Sequence, residues 1–270
     1  MGSPAMNFQF LQPWHAFLPR EGGHVISLFG GGGKTSLLAA WSQVYRTEHV
    51  SVAVTTTTRT EPLAWPDAVR NWSDLQSGAP EPGEEVVFVR QGVHSDGKWR
   101  GLSPTQVDNL NRLWTDRLLL VEADGSSGRP VKLHRKNEPV WPIHNSLAVA
   151  VMGLAAIGKP LNEVLHRHGT LATPFGPAVA DETILSWDHL FQLLTGESGY
   201  LARIPADVPP VLVLTQLKEL EDSLGLFEFL HRVISETDVP IVVLCELGTD
   251  QPRFRTAYRT SAEEQNRARS

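Results

Sequence analysis

The 270-residue chain has one cysteine, Cys245. A single thiol excludes an internal disulfide and any zinc site that needs two or more cysteines. It fits a reducing compartment, and the cytoplasm is the expected location. Positive charge is in the minority: 24 Lys and Arg face 30 Asp and Glu, a formal net charge of −6. There is no basic stripe, which speaks against a nucleic-acid partner. Long apolar runs are also missing. The longest, from Leu147 to Gly158, is too short to span a bilayer, which takes roughly 18 residues or more. No membrane association is expected, no signal-peptide pattern opens the chain, and neither an internal repeat nor a low-complexity block is present. The opening Met1-Gly2-Ser3-Pro4-Ala5 before Met6 reads as an expression scar, so residues 1–5 stay outside the fold reading.

What is present is apolar and regularly punctuated. Hydrophobic residues make up 41% of the chain and charged ones 20%, enough for a sizeable core and unlike a disordered composition. Short runs rich in Val, Leu and Ile recur at His24–Phe29, Val50–Thr55, Val86–Val89, Leu118–Val121, Leu147–Val151, Val211–Leu214 and Ile241–Leu244. Most are apolar at consecutive positions, the pattern of strands covered on both faces, as in a parallel sheet. Helical stripes lie between several of them. Leu37, Leu38, Trp41, Val44 and Tyr45 form one. Ser103-Pro104-Thr105-Gln106 is a capping box that opens another, continued by Val107, Leu110 and Trp114. Leu217, Leu220, Leu224, Phe227 and Val233 suggest a late helix. Strands alternating with helices predict an α/β fold, a doubly wound, mostly parallel sheet flanked by helices. One domain is expected over residues 7–250. Residues 61–83, rich in Pro, Gly and Trp, read as a surface insertion, and 251–270 as a polar C-terminal tail.

The strongest local signal follows the first strand. Gly30, Gly31, Gly32 and Gly33 lead into Lys34, Thr35, Ser36 and an amphipathic helix. Glycines let backbone N–H groups approach phosphate oxygens, and the helix start adds free N–H groups and its dipole. Lys34 would reach the β- and γ-phosphates, and the Thr35 hydroxyl would bind Mg²⁺. This order predicts a fold of the P-loop NTPase type. The loop is shorter than G-x-x-x-x-G-K-[ST]: Leu28 stands where that pattern has its first glycine. Mur ligases and folylpolyglutamate synthetases have a similarly short loop.

A second signal is an apolar strand that ends in two carboxylates, Leu118-Leu119-Leu120-Val121-Glu122-Ala123-Asp124-Gly125. Ligands in open α/β sheets bind beyond the carboxyl ends of strands, and an acid there holds Mg²⁺ or orients the attacking water. Glu122 and Asp124 are therefore candidate catalytic and metal-binding residues. Which acid takes which task is open. Arg129 or Lys132, just downstream, could counter phosphate charge. Thr57 and Thr58 lie in a threonine run after the second strand, where hydroxyls could touch phosphate and Arg59 could add charge; β propensity explains the same run equally well. His134, His144, His166 and His168 are expected as hydrogen-bonded histidines rather than metal ligands, and Cys245 as a buried structural thiol. Thr215-Gln216-Leu217-Lys218 follows a late strand where GTPases read guanine with a lysine and an aspartate; Gln216 and Lys218 replace both. A lysine cannot accept the hydrogen bonds that guanine donates, so ATP is expected to bind at least as well as GTP.

Taken in order, these motifs resemble the YqeC family. The resemblance is carried by Gly30–Thr35, Thr55–Thr58, Glu122-Ala123-Asp124-Gly125 with Gly128-Arg129-Pro130, Glu138-Pro139-Val140, Val151-Met152-Gly153-Leu154, Gly158-Lys159-Pro160-Leu161 and His166-Arg167, over roughly residues 23 to 218. It implies an accessory role in maturation of selenium-dependent molybdenum hydroxylases, with a hydroxylase or its cofactor-insertion machinery as partner. Two other readings share the loop: a Mur-like ATP-dependent ligase, whose C-terminal domain has no counterpart here, and a nucleotide-gated binding module without turnover.

Overall fold

A computed structural model describes residues 18–19, 21–77, 83–169, 174–175, 180–217 and 222–247, and the backbone of 253–258. In chain order the elements are β1 (Val25–Gly30), α1 (Lys34–Thr47), β2 (Val52–Thr56), β3 (Arg59–Thr60), β4 (Ala68–Asn71), β5 (Val86–Arg90), β6 (Gly92–Val93), β7 (Trp99–Arg100) and α2 (Pro104–Leu113). There follow β8 (Leu118–Glu122), β9 (Val131–Lys132), β10 (Leu147–Gly153), α3 (Leu161–Val164), β11 (Leu165–His166), α4 (Trp187–Thr195), β12 (Pro210–Thr215), α5 (Ser223–Glu236), β13 (Ile241–Glu246) and β14 (Arg253–Tyr258).

The main sheet has the order β14-β13-β12-β10-β1-β8-β2-β5-β4. Its eight strands from β13 to β4 run parallel, and β14 closes one edge antiparallel to β13. Strand alternation sends Ile26 and Leu28 to one face, where they pack with Leu37, Leu38, Trp41 and Tyr45 of α1. Val25 faces the other way and packs with Val107, Leu110 and Trp114 around α2. On that same face Phe29, Met152 and Leu214 meet Leu190 and Leu194 of α4 and Phe229, Leu230 and Val233 of α5. Both faces are covered, as the consecutive apolar runs require. The Ser103 capping box is formed: Gln106 N donates to Ser103 Oγ, and Ser103 N to Gln106 Oε1. No helix among the described residues is long and apolar enough to cross a membrane.

The structure differs from expectation in three places. The segment 61–83 carries β4, an edge strand paired with β5, so it extends the sheet rather than only decorating it. Within the stretch expected as a polar tail, Arg253–Tyr258 pairs with β13 in the register Cys245↔Phe254; the alternation of Phe254, Thr256 and Tyr258 is a period-two signal. The late helix starts at Ser223, with Asp222 as its cap, and buries Phe229, Leu230 and Val233, while Leu224 and Phe227 are exposed. Apolar residues surround that helix, and the stripe Leu226, Phe229, Leu230, Val233 wins because i, i+3, i+4 and i+7 share one face. Leu220 lies outside the described residues.

Candidate functional site

In a parallel sheet all carboxyl ends lie at one edge. β1 lies between β8, reached earlier in the chain, and β10, reached later, and such a reversal opens a crevice beyond the strand ends. Gly30 ends β1, Glu122 ends β8, Thr56 ends β2, Gly153 ends β10 and Thr215 ends β12. The sequence-predicted residues therefore share one edge.

The glycine loop turns tightly there. Gly30, Gly32 and Gly33 have φ of 105°, 84° and 96°, in the left-handed region that glycine tolerates. A Cβ on Gly30 would come within 2.3 Å of Val151 O, and one on Gly32 within 2.4 Å of Gly153 N, so the backbone passes too close for any side chain. Gly31 N donates to Val151 O at 2.9 Å and Gly32 N to Arg129 O at 3.1 Å. Leu37 N, bonded to Gly33 O, is the first amide of α1 with an intrahelical acceptor, and no side chain caps the helix start. The amides of Lys34, Thr35 and Ser36 are the ones a helix leaves open.

Lys34 is buried. Its Nζ donates to Gly30 O at 2.7 Å and pairs with Asp124 Oδ1 at 3.2 Å and Glu122 Oε1 at 3.6 Å. The two acids differ sharply. Asp124 is fully buried; Gly30 N lies 3.0 and 3.1 Å from its two oxygens, and Lys132 Nζ and His134 Nε2 lie 3.1 and 3.0 Å from Oδ2. Burial pushes its carboxyl up, but Lys34, His134 and Lys132 outweigh burial and hold it well below the usual carboxylate range. Glu122 faces the Thr35 hydroxyl at 3.4 to 3.5 Å and is shifted the other way, because burial of its charge exceeds the pull of Lys34.

Behind Asp124 the charges alternate. Lys132 Nζ also contacts Glu138 Oε2 at 3.2 Å and Gly125 O at 2.8 Å, and Glu138 takes both ends of the Arg167 guanidinium. The chain Lys34, Asp124, Lys132, Glu138, Arg167 links the loop to the small β9–β11 sheet. Tyr200 braces it: its hydroxyl accepts from Lys132 N at 3.0 Å, and its ring meets His134 edge-on at 4.7 Å. Lys132 is thus spent on protein carboxylates. Arg129 is half-buried, and its guanidinium has no polar partner among the described residues.

The threonine run is held by backbone. Thr56 Oγ1 donates to Glu122 O at 2.9 Å and Thr57 Oγ1 to Val140 O at 2.7 Å, while the Thr58 hydroxyl lies 3.2 Å from that of Thr56. These bonds fix the end of β8 beside β2. Ser36 is exposed on the first turn of α1. The histidines do not gather: His134 serves Asp124, His144 and His168 contact Asp108 and Asp181, and burial with Arg167 and Lys132 pushes His166 down to about 4, so its ring is neutral. No three His, Cys, Asp or Glu side chains form a metal cluster among the described residues. Cys245 is buried, which raises its thiol. Lys218 lies outside the described residues.

Fold and geometry define an α/β protein whose glycine loop, lysine and paired acids converge at the carboxyl edge of a parallel sheet. The chain belongs to the YqeC family, whose model, described as YqeC protein, matches residues 26–169. It is also similar to the Uncharacterized protein YqeC of Escherichia coli (strain K12), 27% identical over 226 residues, which cover 83% of this chain and 87% of the relative.

Proposed function

We propose that the chain binds a magnesium nucleoside triphosphate at the glycine loop and hydrolyses it. The observation that carries this reading is the facing of Thr35 and Glu122 beside a buried Lys34 and an uncapped helix start. The amides of that start and the Lys34 ammonium suit phosphate oxygens. A hydroxyl and a carboxylate are hard oxygen donors of the kind Mg²⁺ takes, together with water and phosphate. Thr35 and Glu122 would hold the ion, whose charge offsets that developing on the transferred phosphoryl group. Lys34 would exchange Gly30 O for phosphate. Arg129, which unlike Lys132 has no carboxylate partner among the described residues, would add positive charge. Asp124 fits a positioning role, since its oxygens are already taken by protein donors.

Glu122→Gln tests this division. Single-turnover hydrolysis should fall by about a hundredfold or more, the scale of losing one electrostatic group in a site, with a smaller loss in nucleotide affinity. Stability at neutral pH should hold or rise. Glu122 is raised in the fold, so the folded state binds the extra proton and its buried charge weakens the protein as pH rises. Unchanged turnover in the variant would remove Glu122 from the chemistry.

For the client we follow the family resemblance to a selenium-dependent molybdenum hydroxylase or its cofactor-inserting machinery. The site supports such a role because loops held by a γ-phosphate can rearrange when it leaves. In a host carrying such a hydroxylase, deleting this protein should leave the hydroxylase polypeptide abundant but low in molybdenum, selenium and activity. The Lys34→Ala variant should not restore them. Equal metal, selenium and activity in both strains would leave the nucleotide site without this client.

A further inference from the structure

Two unfavourable features coincide at Gln216, immediately after β12. Its φ is 59°, in the left-handed region where a residue with a Cβ is strained. Its side-chain Oε1 is buried and has no hydrogen-bond partner among the described residues. The amide packs over Gly153, where a Cβ would come 2.1 Å from Oε1 and 2.8 Å from the Pro130 side chain. Closing the strand end requires neither feature, since glycine would take the same backbone freely and leave no orphaned oxygen. Strained backbone and unsatisfied buried polar atoms concentrate where a ligand completes the site.

The location narrows the ligand. β12 is next to β10, and β10 next to β1, so Gln216 shares the crevice edge with the glycine loop. Thr215, beside it, donates its hydroxyl to Gly32 O and ties this strand end directly to the loop. On the opposite side of β1 the Thr56 and Thr57 hydroxyls are already bonded to Glu122 O and Val140 O. A nucleotide with its phosphates on the loop would therefore have, toward β12, a side chain whose carboxamide oxygen, packed over Gly153, has no partner among the described residues.

We propose that Gln216 reads the nucleobase of the bound nucleotide and that the base is adenine. The inference rests on the nucleotide reading above. A carboxamide offers one acceptor oxygen and one two-proton donor. Adenine matches both, its N6 amino group donating to Oε1 and N7 accepting from Nε2; guanine presents two acceptors, O6 and N7, along that edge and would set O6 against Oε1. Thr215, Gln216 and Leu217 supply no carboxylate for the N–H groups of guanine.

The test is calorimetric titration of the full chain with non-hydrolysable MgATP and MgGTP analogues, on the wild type and on Gln216→Gly. Glycine suits φ of 59°, so the variant should melt at or above the wild-type temperature, which separates base reading from folding. The wild type should prefer the ATP analogue by about tenfold or more, the scale of one bidentate amide–adenine pair. In Gln216→Gly the ratio should collapse toward one, through weaker ATP binding with GTP binding little changed. Equal affinities in the wild type, or a ratio that survives in Gln216→Gly, would overturn adenine reading by Gln216 and leave the phosphate site standing. Failure of both analogues to bind the folded wild type would overturn the nucleotide reading and this inference with it.

Discussion

Lys34→Ala is expected to abolish measurable Mg-nucleotide binding while the chain stays folded. The ammonium is buried, and a phosphate would meet it out of water, where a charge-assisted hydrogen bond is strongest. Losing one partner of a desolvated charge pair costs about 2–5 kcal/mol, or roughly 30- to several-thousand-fold in affinity. The fold should survive because Asp124 keeps Lys132, His134 and Gly30 N. It should melt lower, because Glu122 and Asp124 lose the cation between them. Lys34→Arg should not rescue binding: the planar guanidinium is bulkier than the ammonium, and the loop packs against Val151, Gly153 and Tyr200 without spare room. Calorimetry on the folded alanine variant decides the matter, and undiminished affinity would falsify the nucleotide reading.

Much of this site is legible in the sequence because it is local. An apolar strand, four glycines, a lysine, a threonine and an amphipathic stripe describe one strand–loop–helix unit, and all of it lies within Val25–Thr47. The acidic strand end is equally local. The division of labour between Glu122 and Asp124 is not. At i and i+2 both acids are offered to the same crevice, and what separates them is which partners the tertiary fold brings to each. Gly30 stands 94 residues upstream of Asp124, with Lys34 on the same loop, while Lys132 and His134 arrive on a segment that folds back beneath it. Arg167, which completes the charge chain, stands 29 residues from Glu138, and nothing local in the sequence pairs the two. The edge strands are hidden for another reason. β4 has four residues in a Pro- and Trp-rich segment, and β14 has six in a polar one, so neither shows the continuous apolar run of a central strand. In the threonine run the hydroxyls serve backbone carbonyls, a use that composition cannot distinguish from ligand contact.

Asp124→Asn should cost more stability than any other single change at the site, about 3–5 kcal/mol, because it leaves buried cations without their shared anion. The carboxylate is fully buried and serves Gly30 N, Lys34, Lys132 and His134. An asparagine of the same shape keeps one acceptor oxygen and turns a donor toward groups that are themselves donors. That cost is a large part of the 5–15 kcal/mol or so that a domain has in total. The effect should depend on pH with a definite sign. The folded carboxyl is held below its unfolded value, so its contribution is fully present above the unfolded pKa of roughly 3.9 and is lost as pH falls below it. The gap between wild type and variant should therefore be widest near neutrality and shrink progressively below about pH 4. Glu122→Gln should show no such neutral-pH penalty, since burial already disfavours that charge. Denaturant unfolding of both variants at pH 7 and in the acid range distinguishes the roles. A gap for Asp124→Asn under about 1 kcal/mol, the scale of an ordinary exposed pair, would mean that Asp124 does not anchor the loop. A large gap that persists unchanged into acid would assign the loss to packing rather than to the charge.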